Sequence, residues 1–156
     1  MAQAHQDPHY QQLRERASKA GDSMSKSFED AKKAFERGQK AKAKLLSQAG
    51  RKYQADMCRL NNEASRWVHE KLNSGDNKDG VDLHGLYVQE AVDRAESAMK
   101  TAKKRGDEQL RLIVGRGSHS EGEKARIKPA IEQLLSRRRM DYSTDPRNAG
   151  VLIVQF

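Results

Sequence analysis

No proline interrupts residues 10–73, a stretch rich in Ala, Lys, Glu, Gln, Arg and Leu, all good helix formers. A proline-free segment of that length and composition reads as helical. Asp22 or Ser23 is placed to cap a helix running to about Arg37, with Phe28, Ala31, Ala34 and Phe35 on one face. Gly38 is expected to end it. A second helical stretch runs from Gln39 to Leu72, with an interruption expected at Gly50. Its Leu45, Leu46, Ala49, Tyr53, Met57, Leu60, Ala64, Trp67 and Val68 recur at helical spacing and form an apolar stripe. The stripe suits packing on a neighbouring helix or on the next domain, and Cys58 and Trp67 are read as packing residues on it. Residues 1–9 read as a flexible polar tail. His5 and His9 stand four apart, but Pro8 falls between them and no Cys or acidic cluster accompanies them.

Residues 74–80 are polar and hold two glycines, the mark of a linker. Beyond them the pattern changes. Val81 to His84 is a short strand candidate. Val88, Ala91, Val92, Ala95, Met99 and Ala102 share a helical face. Leu110 to Val114 is a β-rich apolar run, and Ile127, Ala130, Ile131, Leu134 and Leu135 share another helical face. Pro129 is expected in that helix's first turn or at a kink. Met140 to Thr144 reads as a strand, Asp145 to Gly150 as a turn, and Val151 to Phe156 as a closing strand. The expected organisation is α+β: a helical domain over 10–73, a linker over 74–80, and a layered α/β domain of order β-α-β-α-β-β over 81–156.

Charged residues make up 33% of the chain and apolar ones only 35%, against about 45–50% in ordinary globular domains. The core is therefore expected to be concentrated rather than spread. The formal net charge is +8, and the basic excess lies mainly in the helical half. Such a balance favours polyanionic partners through counterion release, without naming one. The single cysteine excludes an intramolecular disulfide, which fits a reducing compartment. Met1 to Tyr10 has no apolar core of a signal peptide, and no run approaches the roughly 20 apolar residues of a membrane span. A soluble protein without a membrane partner is expected, in the cytoplasm, with the nucleus as the alternative. Aromatic residues reach only 5%, so base stacking is not the obvious binding mode.

Two segments carry chemistry: Val81-Asp82-Leu83-His84-Gly85 and Gly115-Arg116-Gly117-Ser118-His119-Ser120. Both lie at the C-terminal ends of expected strands, where ligands bind in open α/β sheets. In a strand, Asp82 and His84 would share a face. An Asp beside a His fixes the imidazole tautomer and raises its pKa, giving an acid–base pair near neutral pH. The same pattern also serves simply to tie down a strand end. In the second segment, glycines let main-chain N–H groups approach an anion, and the helix start beyond adds a favourable field. Arg116 suits a phosphate or a phosphoryl transition state. His119 suits proton transfer. The candidate binding residues are Gly115, Arg116, Gly117, Ser118, Ser120 and Lys124. No Gly-Lys-Ser/Thr follows, so this is not a nucleotide-hydrolysing loop. A glycine turn carrying a surface Arg and His remains an equal reading of the spacing.

These two motifs resemble those of the Smr (small MutS-related) domain, Leu-Asp-Leu-His-Gly and Gly-x-Gly-x-His-Ser, with Val81 in place of Leu. The ending Asn148 to Phe156 is similar as well. Residues 10–73 resemble the helical domain of unknown function that often precedes Smr domains, at Tyr10, Leu13, Ala17, Phe28, Gly38, Gly50, Met57, Leu60 and Ala64 among others. The resemblance implies a mixed four-stranded sheet with two helices, like the C-terminal domain of a bacterial translation initiation factor. It also implies nucleic-acid binding and, for many members, endonuclease activity on DNA or on RNA at stalled ribosomes. The residues it implicates in cleavage fall on Asp82, His84 and Arg116, with Gly115, Gly117 and His119 in the second motif.

The expected activity is phosphodiester cleavage, with RNA favoured over DNA and a role in ribosome-linked mRNA quality control. Cleavage of RNA is expected without a metal, whereas a DNA target would bring in Mg²⁺. The rival readings are a non-catalytic nucleic-acid- or ribosome-binding module and a DNA-nicking enzyme. A monomer is expected.

Overall fold

The computed structural model of the protein describes residues 6–74, 80–116 and 125–156. Residues 1–5 of the expected tail and residues 75–79 of the expected linker lie outside them. The described residues fall into two compact units, Met1–Trp67 and Val68–Phe156.

The first unit is built from two long helices, α1 (Pro8–Glu36) and α2 (Lys40–Leu72); the last turn of α2 belongs to the second unit. Asp7 caps α1, its Oδ1 accepting the His9 N–H at 2.9 Å, and Pro8 occupies the first helical position, where a missing N–H costs nothing. Helix α1 therefore begins inside the tail expected over residues 1–9. It then runs unbroken past Gly21 and Asp22, and no helix starts at Asp22 or Ser23. Nor is α2 interrupted at Gly50. Both glycines serve packing. A Cβ on Gly21 would lie 3.2 Å from Met57 Sδ, and one on Gly50 would lie 2.8–3.0 Å from the Phe28 ring. Gly38, with φ +73°, does make the break between α1 and α2.

Tyr10, Leu13, Ala17, Ala31 and Ala34 are buried on α1, and Ala43, Leu60 and Ala64 on α2. Arg14 donates to Asn61 Oδ1 at 2.7 Å, and the Tyr10 ring stacks on Trp67 at 6.3 Å between centroids. The expected stripes are only partly interior. Leu45 is 67% exposed and Phe35 63% exposed, while Tyr53 and Cys58 also face solvent. A strip about one-third of a helix wide is all that one partner helix covers, and these four fall beyond it.

The second unit holds a mixed four-stranded sheet of order β1-β2-β4-β3: β1 (Val81–Asp82), β2 (Gln109–Ile113), β3 (Tyr142–Asp145) and β4 (Asn148–Gln155). Strands β1 and β2 are parallel and joined through α3 (Val88–Arg105), while β4 runs antiparallel to both β2 and β3. Helix α4 (Ile127–Arg137) packs on α3, and α3 on β2. The core joins Leu83, Leu112, Ile131, Leu135, Leu152 and Val154, all essentially inaccessible to solvent. This is the α+β architecture expected of residues 81–156. Pro129 sits in the first turn of α4.

The turn expected over Asp145 to Gly150 is shorter than its composition indicates. Asp145 pairs with Asn148, leaving Pro146 and Arg147 as the hairpin turn, and Asn148, Ala149 and Gly150 already belong to β4. Asp145 is buried at the corner. Its Oδ1 accepts the Arg147 N–H at 2.7 Å, and its Oδ2 accepts from the Arg111 guanidinium. The Arg147 N–H and the guanidinium hold its carboxyl below the usual carboxylate range. Among the described residues no helix is long and apolar enough to cross a membrane.

Candidate active site

Parallel pairing of β1 with β2 brings the first motif and the start of the second, Gly115 and Arg116, to the same end of the sheet. Asp82 lies beside Ile113, and the Leu83 N–H donates to Ile113 O at 2.9 Å. Leu83 is fully buried and anchors the turn that follows. Strand β1 stops at Asp82, so His84 does not share a strand face with it as the alternation predicted. The chain turns instead, with Gly85 at φ +76°, a conformation that a side chain would strain. The turn itself brings the two residues together. Asp82 Oδ1 accepts the His84 main-chain N–H at 3.0 Å and the ring Nδ1 at 2.5 Å.

Asp82 is 13% exposed at its side chain and His84 36%. The hydrogen bond to Asp82 raises the His84 pKa above the ordinary value, against an opposing effect of partial burial. Asp82 thus fixes the orientation of the ring through Nδ1.

The second motif begins at Gly115, whose φ is +74°. A Cβ there would lie 3.4 Å from the His84 Cβ, so the Gly115 backbone lies close beside His84. The carbonyl of Gly150 accepts both the Val114 N–H at 2.8 Å and the Gly115 N–H at 3.1 Å. Gly150 is itself held by its N–H to Asn148 Oδ1 at 3.0 Å. A Cβ on Gly150 would sit 3.0 Å from the carbonyl carbon of Gly115 and 3.3 Å from Arg116 Cγ. The start of β4 is thus a platform over which Arg116 passes, with its side chain exposed to solvent.

Of the residues singled out in the sequence, Asp82, His84 and Gly115 lie together, and Arg116 leaves the same corner. Gly117, Ser118, His119, Ser120 and Lys124 lie outside the described residues. Among the described residues no group of three or more His, Cys, Asp or Glu side chains is gathered about one point.

Sequence reasoning missed three residues that build this corner. Gly150 and Asn148 were assigned to a turn. Asn73 is the last residue of the expected helical domain and carries no site motif in the sequence, yet its carboxamide bonds both main-chain groups of Asp82: Oδ1 accepts the N–H at 2.8 Å and Nδ2 donates to the carbonyl at 3.1 Å. His69, one turn earlier on α2, stands beside it, its pKa lowered by burial and by the nearby Arg94. The one available signal was an Asn at a helix end close to an edge strand, and it is weak.

Comparison with known proteins gives two family matches: the Smr domain over residues 81–156 and a domain of unknown function, DUF1771, over residues 10–73. Smr domain-containing protein C11H11.03c of Schizosaccharomyces pombe is 34% identical over 144 residues, covering 92% of this chain and 70% of that protein. Endonuclease NBR9 of Saccharomyces cerevisiae is 30% identical over 150 residues, covering 96% of this chain and 62% of that protein. Among solved structures, the B3BP Smr domain in solution is 35% identical, with a TM-score of 0.47 over 62% of this chain and 95% of that one.

Proposed function

The chain belongs to the Smr-domain family, with a DUF1771 domain ahead of its Smr domain, and from that premise we propose that it is a nucleic-acid-binding endonuclease acting by preference on RNA. The observation that carries the reading is the Asp82–His84 pair, with Nδ1 bonded to the carboxylate at 2.5 Å. An imidazole oriented in that way serves as a general base. The similarity to a budding yeast protein named as an endonuclease supports the same class of reaction.

In the proposed mechanism, His84 Nε2 takes the proton of a ribose 2′-hydroxyl. The 2′-oxygen attacks the adjacent phosphorus, and the bond from phosphorus to the 5′-oxygen of the next nucleotide breaks. His119 protonates that leaving oxygen. The products are a 2′,3′-cyclic phosphate and a 5′-hydroxyl. Arg116 and the main-chain N–H groups of its loop offset charge on the phosphorane. This route needs no metal. A DNA target lacks the 2′-hydroxyl, and its cleavage would call on a metal-activated water instead. Ribosome-linked mRNA quality control is the setting we propose for the activity.

A binding-only reading draws on a different observation. On the first unit, Phe28, Phe35, Lys32, Lys40 and Lys44 line an open groove of about 520 Å³, and exposed lysines beside aromatic faces suit a phosphate backbone. The deciding experiment incubates end-labelled single-stranded RNA and matched DNA with wild type and with Asp82→Asn/His84→Ala, with Mg²⁺ and with EDTA. RNA cleavage in EDTA that falls by about 10²–10⁴ in the variant is the expected result. Binding without cleavage of either strand would replace the nuclease with the binding module. Cleavage of both strands only with Mg²⁺ would replace the mechanism.

A further inference from the structure

Strand β1 is the edge of the sheet: β2 pairs with one side of it, and no strand among the described residues pairs with the other. On that open side both main-chain polar groups of Asp82 are taken by the Asn73 carboxamide, at 2.8 and 3.1 Å. One side chain thus makes the reciprocal pair of bonds that a residue of a neighbouring strand would make. Asn73 is itself anchored on the last turn of α2. Its main-chain N–H donates to His69 O at 3.0 Å, its Nδ2 donates to the same oxygen at 2.8 Å, and that Nδ2 lies 3.1 Å from His69 Nδ1.

We propose that Asn73 is a positioning residue for the Asp82–His84 pair, acting through the Asp82 main chain. Strand β1 is only two residues long, and its pairing to β2 fixes one edge alone. Asn73 fixes the other, and so sets where the Asp82 carboxylate meets His84. Asn suits this task because one planar amide accepts and donates at once. Asp would keep the acceptor, lose the donor and set a charge against the Asp82 carbonyl. The working unit of the site therefore begins on α2, within residues 10–73, rather than at Val81. Among the described residues, the charged and titratable groups acting on the cluster include Asp82 on β1, His69 and Glu70 on α2, and Arg94 on α3.

The effect on rate rests on the nuclease reading, whereas the effect on the pair does not. The test uses the full chain as wild type, Asn73→Ala, Asn73→Asp and, as a core control away from the site, Ile131→Val. The His84 ring is titrated by NMR without substrate, its signal assigned by its loss in His84→Ala. The titration midpoint is expected to fall toward the ordinary histidine value in Asn73→Ala, less so in Asn73→Asp, and to stay in place in Ile131→Val. With RNA, kcat in Asn73→Ala is expected to fall by up to about 10²-fold with KM little changed. A midpoint and kcat like wild type in Asn73→Ala, with Asp82→Asn shifting both, would overturn the proposal. If wild type cleaves no RNA, the nuclease reading fails and the titration alone still decides the role of Asn73. Should Asn73→Ala not fold, Asn73→Asp carries the same comparison.

Discussion

A single oxygen, Asp82 Oδ1, receives both the main-chain N–H and the ring Nδ1 of His84. The carboxylate therefore sets the backbone turn and the ring orientation together. Its hydrogen bond raises the His84 pKa, so the neutral base form is reached at higher pH than in an ordinary histidine. The rising limb of log kcat/KM for RNA cleavage should lie at correspondingly high pH. In Asp82→Asn it should move to lower pH with a lower plateau. Stability follows the same linkage. The folded chain holds the proton more tightly than the unfolded one, so the contribution of the pair is complete below the ordinary histidine pKa. It is lost as pH rises through the raised value. Thermal melts of wild type and Asp82→Asn that keep a constant gap across that window would contradict this.

Gly150→Ala should impair cleavage without removing any candidate catalytic group. Its Cβ would press on the Gly115 backbone at 3.0 Å, where the N–H groups of Val114 and Gly115 are both already held by Gly150 O. Overpacking of this kind costs about 1–3 kcal/mol. A chain with wild-type kcat and Tm would show that the loop yields freely.

Leu112→Ala should destabilise the second unit by about 2–5 kcal/mol, read by urea denaturation. Leu112 is fully buried at the centre of the sheet, between Val81 on β1 and Leu152 on β4. A loss below that range would mean that the sheet and helices collapse readily into the space.

Gly50→Ala should change sign with its background. Ala gains about 1 kcal/mol over Gly inside a helix, but its Cβ would lie 2.8 Å from the Phe28 ring, which must then leave. Net destabilisation is expected in wild type, and net stabilisation in Phe28→Ala. Additive melting shifts across the four chains would dismiss the contact.

The second unit was legible because its signals are periodic. The helical faces at Ala91, Ala95, Met99 and Ala102 and at Ile131, Leu134 and Leu135 are buried as their spacing required. The run Leu110 to Val114 coincides with β2 to within a residue at each end. The candidate site was legible as two motifs, and the parallel pairing of β1 with β2 is what brings the first beside the start of the second. What sequence could not convey was contact at a distance. Glycine inside a helix reads as a breaker, and only the neighbouring helix reveals Gly21 and Gly50 as room for Met57 and Phe28. Asn73 reads as a helix end, because its strand-like bonding depends on where β1 lies.

Those two seats have a mechanical consequence for the helical hairpin. A pair of smooth helices joined by a short turn can slip by a turn at modest cost, since one alanine-lined ridge resembles the next. Here Phe28 rests in a notch in α2 at Gly50, and Met57 in a notch in α1 at Gly21. Sliding α1 along α2 would lift both at once against ordinary side chains. The two glycines work as detents, holding one alignment of the hairpin by shape where its polar surface would tolerate several.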